Sequence, residues 1–479
     1  MEELFRKDAT AQAACVRSGE CSPLELVDAA IARIEKLNPI VNAVIHERFE
    51  KAREEAKRPL PDGPFRGVPL CIKDSQCRTA GDPYHLGLTA LKEAGYKADH
   101  DSQLAQYFRQ AGFVIVGRTN VPELSCSSTT EPRAYGASRN PWNVELSTGG
   151  SGGGSAAAVA AGMVPVAHSN DTGGSTRVPA ACCGLVGMKP TRGRTSFAPD
   201  VGSWEGQLGE HGVLTRTVRD NAAIMDAIIG TVPGDAYFMA KPGRPFSAAL
   251  TDPLRPLKIG VRTRLPPMFG VLEGDSAPEC KAAVDFTVQA LRELGHDVRY
   301  EGPPALDDPT LVNGVFTVVG VAFMRELAAV EKIVGRPIDF DELDPLNRLI
   351  AIEGRDASGK KYLEALENLY AAGRKLERWW IEGWDILLTP GMGCLPPKIG
   401  ETGPYADLEA ANPIMSRTSA FTQPFNASGQ PAINLPIHRT EDGIPVGIQL
   451  VASWGREDLL FGLSAQLEAA RPWNMPLPM

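Results

Sequence analysis

The sequence predicts an α/β fold in which a large sheet carries much parallel pairing. An amphipathic helical pattern over residues 101–112 leads directly into an apolar strand pattern over residues 113–117. The same alternation returns later, with a strand pattern at 257–261, a helix at 280–294 and another strand at 296–300. Such alternation is typical of sheets whose strands are joined by helical crossovers. With 479 residues, of which 43% are hydrophobic, the chain can bury a large core.

Residues 1–60 are predicted to form an N-terminal helical segment. Within it, Ser22 is placed as an N-cap, Pro23 as the first helical residue and Glu25 as the partner in a capping box. A turn rich in proline and glycine then leads into a short apolar strand that ends on Lys73. A lysine at such a position usually extends to water or pairs with a carboxylate, so Lys73 alone does not indicate catalysis.

The chain as a whole, residues 1–479, is predicted to be a single domain. Its catalytic core is expected to combine residues 61–240 with residues 383–479, because strand patterns return near the end of the chain. Between these segments, residues 255–382 are rich in helical pattern. They are interpreted as an insertion or cap.

Charge and cysteine usage exclude several classes of function. The net charge is −9 and no basic run occurs, whereas nucleic acids and anionic membranes are bound by clustered Lys and Arg. Nine cysteines without a C-x-x-C motif fit neither a disulfide framework nor a zinc site, so no metal is expected. The first residues lack a signal-peptide core, and Gly162 and Pro165 interrupt the longest apolar run. We therefore expect a cytoplasmic protein with no nucleic-acid or membrane partner; a homodimer is left open.

The most informative segment covers residues 149–191 and contains ten glycines and four serines. Glycines at this density suit backbone that approaches a ligand closely, and successive N–H groups in such a loop can converge on an anion. One interpretation is a dinucleotide site, since Gly152, Gly154 and Ala157 satisfy G-x-G-x-x-A. The residues before them are too polar for the buried strand that this motif needs.

Three further interpretations apply to this segment. Ser151 lies in G-x-S-x-G and would be the nucleophile of an α/β-hydrolase if an acid and His438 completed a triad. The glycines could instead serve tight packing, with Ser155 as a helix cap, but this leaves the Thr-Gly-Gly run before Ser175 unexplained. The last interpretation is a serine hydrolase that uses no histidine.

The chain is identified as a member of the amidase signature family by motifs spread over nearly its whole length. They read Gly67-Val68-Pro69 with Lys73-Asp74, Gly149-Gly150-Ser151, Asp171-Thr172-Gly173-Gly174-Ser175-Thr176-Arg177, Gly187-Met188-Lys189-Pro190-Thr191, Thr215-Arg216-Thr217-Val218-Arg219-Asp220 and Pro445-Val446-Gly447-Ile448-Gln449. The resemblance implies an α/β/α sandwich whose large, twisted, mixed and mostly parallel central sheet is covered by helices. It also implies a hydrolase of carbon–nitrogen bonds other than peptide bonds that needs no cofactor.

By the same resemblance, the catalytic residues form a Ser-cisSer-Lys triad. Ser175 is the nucleophile, Ser151 is the bridging serine after a cis peptide bond, and Lys73 is the base. A serine hydroxyl needs a base to accept its proton, and lysine can act as one only when it is neutral. Burial at a strand end is expected to lower the pKa of Lys73 from about 10.4 to about 7 or 8.

The resemblance also assigns supporting roles. An oxyanion hole would be formed by the backbone N–H groups of Thr172, Gly173, Gly174 and Ser175. Asp171 and Arg177 would brace this loop without reacting. Many members carry a second serine after the bridging one, where this chain has Gly152, so the rigidity of the loop is in question.

The substrate is expected to be a neutral, partly apolar small amide, cleaved through an acyl-enzyme to a carboxylic acid and an amine or ammonia. Small or apolar side chains are predicted to line the pocket, namely Cys126, Ser127, Phe316, Val319 and Phe421. Residues 8–13, 377–380 and 425–431 look most like the branch that opens cyclic nylon-type oligoamides. A cyclic or linear oligoamide of the 6-aminohexanoate type is therefore the alternative substrate. Aryl acylamides, carbamates and a subunit role in a tRNA-dependent amidotransferase stay open.

Overall fold

A mixed sheet of 11 strands forms the centre of the molecule in the computed structural model, which describes residues 4–268, 274–473 and 478–479. The strands are β1 (Val44–Glu47), β2 (Pro69–Lys73), β3 (Val114–Thr119), β4 (Arg139–Asn140), β5 (Asn143–Ser147), β6 (Val166–Asp171), β7 (Val186–Lys189), β8 (Glu210–Thr215), β9 (Lys258–Val261), β10 (Asp297–Arg299), β11 (Ile386–Pro390), β12 (Ala432–Arg439) and β13 (Pro445–Ala452). Their order across the sheet is β1-β3-β2-β6-β8-β7-β12-β13-β11-β9-β10, while β4 and β5 form a separate ribbon.

The pairing of the strands confirms the mixed α/β sheet, but parallel pairing is less frequent than expected. Strand β2 runs parallel to β3 and β6, and β9 runs parallel to β10 and β11. The other six neighbouring pairs of described strands in this central sheet are antiparallel. The difference arises because β8 inserts between β6 and β7, and because β12 and β13 enter the sheet as a hairpin.

Helices cover both faces of this sheet. They are α1 (Ala9–Ser18), α2 (Pro23–Val41), α3 (Phe49–Ala56), α4 (Thr89–Glu93), α5 (Gln103–Gln110), α6 (Gly153–Ala160), α7 (Arg177–Cys183), α8 (Val218–Ile228), α9 (Pro278–Glu293), α10 (Val315–Val334), α11 (Pro345–Asp356), α12 (Gly359–Ile381), α13 (Leu408–Ser419), α14 (Gln423–Ser428) and α15 (Glu457–Ala470). Side chains of a strand alternate between faces. Accordingly Leu70 and Ile72 pack in a cluster with α8, α9 and α15, whereas Cys71 packs in a cluster with α2 and α6.

The N-terminal segment contains the helices that the sequence predicts. Glu25 N–H donates to Ser22 Oγ at 3.2 Å, and Glu25 Oε2 accepts from the Ser22 N–H at 2.7 Å, so the predicted capping box is present. After α2 the chain forms the edge strand β1, which pairs antiparallel with β3. None of the helices in the described ranges is long and apolar enough to cross a membrane.

The helix-rich insertion predicted at residues 255–382 contains strands where the sequence predicts them. Its first part supplies β9 and β10, which complete one edge of the central sheet beside β11. The helix-rich part is therefore shorter and consists of α10, α11 and α12. Because strands from the predicted insertion and from both predicted core segments share one sheet, the arrangement fits the single-domain prediction.

Candidate active site

Lys73 ends β2 with its side chain completely buried. Its Nζ donates to Ser151 Oγ at 2.8 Å and to Asn170 Oδ1 at 2.5 Å. Asn170 is in turn held by a hydrogen bond from its Nδ2 to the Ser75 carbonyl at 3.3 Å. The lysine thus contacts a serine hydroxyl and a neutral amide, and no carboxylate forms an ion pair with it among the described residues.

This environment changes the charge state of the lysine. Burial lowers the pKa of Lys73 to about 7, against the opposing field of Asp171. Removing an ammonium group from water disfavours its charged form, which is why the shift is downward. A large fraction of the amine is therefore neutral near neutral pH and can accept a proton.

The glycine loop brings Ser151 to this lysine. The Gly150–Ser151 peptide bond is cis, as the family resemblance implies. Hydroxyl groups from an earlier loop fix the glycines: Thr130 Oγ1 donates to the Gly149 carbonyl at 2.9 Å and accepts from the Gly153 N–H at 3.1 Å. The loop that contains Thr130 thus supports the glycine backbone.

Gly152 stands where many relatives have a serine, and its surroundings explain the glycine. A Cβ at this position would lie 2.3 Å from Ser169 Oγ and 2.7 Å from the Ser175 carbonyl oxygen. That carbonyl accepts hydrogen bonds from the Gly152 N–H and from Ser169 Oγ, both at 3.1 Å. These contacts hold the glycine loop and place its backbone beside the backbone of Ser175.

Two other interpretations of the glycine run do not fit the fold. Both a dinucleotide site and a nucleophile elbow need a strand of the central sheet immediately before the loop. The strand that precedes Ser151 is β5, which pairs with β4 in the separate ribbon and bridges to Lys398, outside the central sheet. Ser155 is also not a cap, since it lies inside α6 and donates to the His168 carbonyl at 2.7 Å.

Asp171 and Arg177 form a buried ion pair behind the second serine loop. The Arg177 guanidinium donates to both carboxylate oxygens, at 2.8 and 2.9 Å. Burial would raise the pKa of Asp171, but the charge and hydrogen bonds of Arg177 and a hydrogen bond from Asn426 outweigh it and hold this pKa well below its usual range. The pair agrees with the bracing role that the resemblance implies.

The predicted set of four oxyanion donors is wrong at Gly174, because the Asp171 carboxylate accepts its N–H. The Gly174 N–H donates to Asp171 Oδ1 at 2.8 Å and is therefore directed into the loop. The Gly174 backbone has a φ of 130°, which turns this peptide toward Asp171. In the described part of the chain, the N–H groups of Thr172, Gly173 and Ser175 have no protein acceptor. These three are left as donors for a substrate oxygen.

Two neighbouring glycines of this loop differ in what surrounds them, which gives a matched prediction. A Cβ at Gly174 would lie 2.3 Å from Thr422 Oγ1, on a backbone that L-residues rarely adopt, whereas a Cβ at Gly173 would meet nothing within 4 Å. We expect Gly174→Ala to lower the free energy of unfolding by about 1–3 kcal/mol and Gly173→Ala to change it by less than about 0.5 kcal/mol. Denaturant titration of both variants checks this difference, and equal losses would contradict it.

The predicted pocket walls fall in three different places. Cys126 and Ser127 line a cavity between the loop that follows β3 and the segment before α13. Phe316 and Val319 lie on α10 and are partly buried against a neighbouring hydrophobic cluster. Phe421 is only 1% exposed within a core cluster, so the structure places its ring in the core.

Sequence reasoning missed Asn170, which contacts Lys73 directly. The signal was present, because His168, Ser169, Asn170 and Asp171 form a polar run that completes β6 after Val166 and Ala167. Within the described residues, no group of three or more His, Cys, Asp or Glu side chains is placed to hold a metal ion. The absence of a metal from the reaction stays a prediction.

Comparison with known proteins gives a consistent result. A model of the amidase family matches residues 25–461. The 6-aminohexanoate-cyclic-dimer hydrolases of Pseudomonas sp. (strain NK87) and Paenarthrobacter ureafaciens are each 44% identical over 477 residues, covering 98% of this chain and 95% of each relative.

Solved structures agree with the sequence comparison. A 6-aminohexanoate cyclic dimer hydrolase complexed with substrate superposes with a TM-score of 0.93 at 43% identity, covering 98% of each chain. A bacterial aryl acylamidase superposes with a TM-score of 0.86 at 26% identity, again covering 98% of each chain. The family and fold predicted from the sequence are thus confirmed, and the chain belongs to the amidase signature family.

Proposed function

We propose that this amidase cleaves a carboxamide C–N bond through an acyl-enzyme on Ser175. The observation that carries the proposal is the 2.8 Å hydrogen bond between Lys73 Nζ and Ser151 Oγ, made by a lysine that is 0% exposed. A buried, neutral amine beside a hydroxyl is the arrangement that general-base activation of a serine needs. The hydrogen bond from the Gly152 N–H to the Ser175 carbonyl joins the loop of Ser175 to the glycine loop that carries Ser151.

In the first half-reaction, neutral Lys73 accepts the Ser151 proton while Ser151 accepts the Ser175 proton, and Ser175 Oγ bonds to the carbonyl carbon. Negative charge then develops on the carbonyl oxygen, which the free N–H groups of the loop stabilise. Each donor in such a hole is worth about 2.7–4 kcal/mol. As the C–N bond breaks, the proton returns through Ser151 to the leaving nitrogen.

In the second half-reaction, water attacks the acyl ester and uses the same relay. The water proton passes through Ser151 to Lys73, and then returns to Ser175 Oγ as the ester bond breaks. The products are a carboxylic acid, the amine released earlier and free enzyme. No group besides the two serines, the lysine and the loop N–H donors is needed for the protons to balance.

The substrate class that we propose is a cyclic or linear oligoamide of 6-aminohexanoate. Two relatives at 44% identity carry the name 6-aminohexanoate-cyclic-dimer hydrolase, and the identity extends over 98% of this chain. Cys126 and Ser127, which line a cavity near the proposed site, are small enough to leave room for a methylene chain. Aryl acylamides are the second candidate, on the structural similarity to the aryl acylamidase.

We further propose that the enzyme acts in the cytoplasm on small molecules. All nine cysteines are unpaired in the structure, and seven of them are buried, which fits a reducing compartment. The net charge of −9 argues against a nucleic-acid substrate.

A substrate panel tests the proposed function. The purified chain is incubated with the cyclic dimer, the linear dimer and an acyl anilide in the presence of EDTA, and products are quantified by liquid chromatography with mass spectrometry. We expect one acid and one amine per bond cleaved, and no turnover by Ser175→Ala. Equal turnover by the variant, or no hydrolysis of any amide by the wild type, would contradict the proposal.

The pH dependence follows from the lysine. Since the pKa of Lys73 is lowered to about 7, the amine is protonated and inactive below this pH and neutral above it. We expect kcat/KM to rise about tenfold per pH unit below pH 7 and to level off above it. A profile of kcat/KM from pH 5 to 9 on a non-ionising amide checks this, and a rate that falls between pH 6 and 8 would contradict it.

A further inference from the structure

A second cavity lies next to the candidate site. It begins at Ser75 and Gln76, two and three residues after Lys73, and is bounded by Cys126. Its opposite wall combines α10 with a short loop that contains Trp204 and Glu205. Glu205 thus lines a small cavity that shares Cys126 with the cavity described above.

The loop that carries Glu205 is held firmly in an unusual conformation. Glu205, Gly206 and Gln207 have φ angles of 45°, 61° and 70°. A Cβ at Gly206 would lie 2.3 Å from Val318 Cγ1, so α10 packs directly on the loop. The Gln207 carbonyl accepts from Arg192 Nε at 2.9 Å, which fixes the backbone on its other side. The position of the Glu205 side chain is thus set by the fold.

The Glu205 carboxyl makes no ion pair with another described residue. Among the described residues no basic group forms an ion pair with it, since Arg325 contacts Glu326 at 3.4 Å and Lys73 is bonded to Ser151 and Asn170. The Thr172 hydroxyl lies beside the carboxyl without a well-directed hydrogen bond. Burial raises the pKa of Glu205 to about 7. An acceptor is therefore left without a strong donor next to the loop that precedes Ser175.

We propose that Glu205 determines substrate choice by accepting a hydrogen bond from an N–H group that the substrate carries away from the scissile amide. The donor is either a second amide or an ammonium group, and both occur in oligoamides. This inference rests on the proposed function, because it assumes that the scissile amide binds at Ser175. A partly buried acceptor of this kind favours substrates that satisfy it and rejects analogues that lack the donor.

The test uses three amides and three variants. The cyclic dimer supplies a second amide, 6-aminohexanoic anilide supplies an ammonium group, and hexanoic anilide supplies neither. The variants are Glu205→Leu, Glu205→Gln and, as a control, Glu364→Ala, whose carboxylate is 62% exposed on α12. We expect Glu205→Leu to lower kcat/KM for the two donor-bearing substrates by about 10- to 100-fold, mostly through KM, and to leave hexanoic anilide within twofold.

The glutamine variant distinguishes the two donors. If a neutral amide is the donor, Glu205→Gln keeps most of the activity on the cyclic dimer; if ammonium is the donor, it fails to rescue the amino anilide. A loss that is equal for all three substrates, or no loss for either donor-bearing substrate, would overturn the inference.

A binding measurement makes the result independent of catalysis. Calorimetry gives the Kd of each amide for Ser175→Ala and for the double variant that also carries Glu205→Leu. A wild type that hydrolyses none of the amides would refute the proposed function, while the difference in Kd between the two Ser175→Ala proteins would still decide the role of Glu205. We expect Kd for the donor-bearing amides to rise about 10- to 100-fold with Glu205→Leu. An unchanged Kd would overturn the inference.

Discussion

Replacing Lys73 with methionine is expected to lower kcat/KM by about 10²- to 10⁴-fold, the range that a general base contributes. Methionine has a similar length and fits a buried position, so the change removes the proton acceptor with little change in volume. Steady-state kinetics on an anilide, followed at 240–260 nm or by product analysis, measures the loss. Lys51→Met is the control, since Lys51 lies on the surface with its side chain 52% exposed.

The same variant should not lose stability. The pKa of Lys73 in the folded protein, about 7, lies below its model value of 10.5, so the unfolded chain binds more protons between these two pH values. Stability should therefore increase as the pH rises from 7 to 10.5, and this increase should be weaker in Lys73→Met. Thermal unfolding at pH 6, 8 and 10 compares the two proteins. An inactive variant that is also unfolded would show that Lys73 acts structurally.

Asp171→Asn is expected to lower the free energy of unfolding by about 3–5 kcal/mol, because it leaves the buried Arg177 charge without its carboxylate. Both side chains of this pair are 0% exposed, and Arg177 has no other carboxylate partner among the described residues. The variant also converts one carboxylate oxygen into an NH₂ donor, which cannot accept the backbone N–H groups that this loop directs at Asp171, so the loop before Ser175 should loosen and kcat should fall.

An exposed ion pair provides the control for this prediction. Asp297 and Arg299 are bonded at 2.6 Å on the surface, with side chains that are about half exposed. Asp297→Asn should change the free energy of unfolding by no more than about 1 kcal/mol. Denaturant titration followed by fluorescence measures both variants. If both variants lose a similar free energy of unfolding, burial of the Asp171–Arg177 pair does not increase what the pair contributes to stability.

The sequence predicted those elements whose structure depends on residues close together in the chain. Ser22, Pro23 and Glu25 predicted a helix start that the structure confirms, since the capping box involves only adjacent residues. The strand that ends on Lys73 was also predicted, because a short apolar run before a charge is a local pattern. The family motifs identified the fold for the same reason, as each is a contiguous segment.

Interactions between segments that are distant in the chain could not be predicted from local sequence patterns. The sequence assigned Ser155 to a helix cap, but its hydroxyl bonds across to β6. It also offered the Gly174 N–H to the substrate, whereas Asp171 accepts it within the folded loop. The place of the β12–β13 hairpin between β7 and β11 and the sheet edge at β9 and β10 depend on how remote strands order themselves. Periodicity within one segment carries no information on that order.

Covalent labelling tests the central claim most directly, namely that Ser175 is the nucleophile activated through Ser151 by Lys73. The full-length protein is treated with a fluorophosphonate, digested, and the modified residue is located by tandem mass spectrometry. We expect a single label on Ser175 that is lost in Ser175→Ala and forms much more slowly in Lys73→Met. A label on Ser151, or labelling that persists in Ser175→Ala, would contradict the claim.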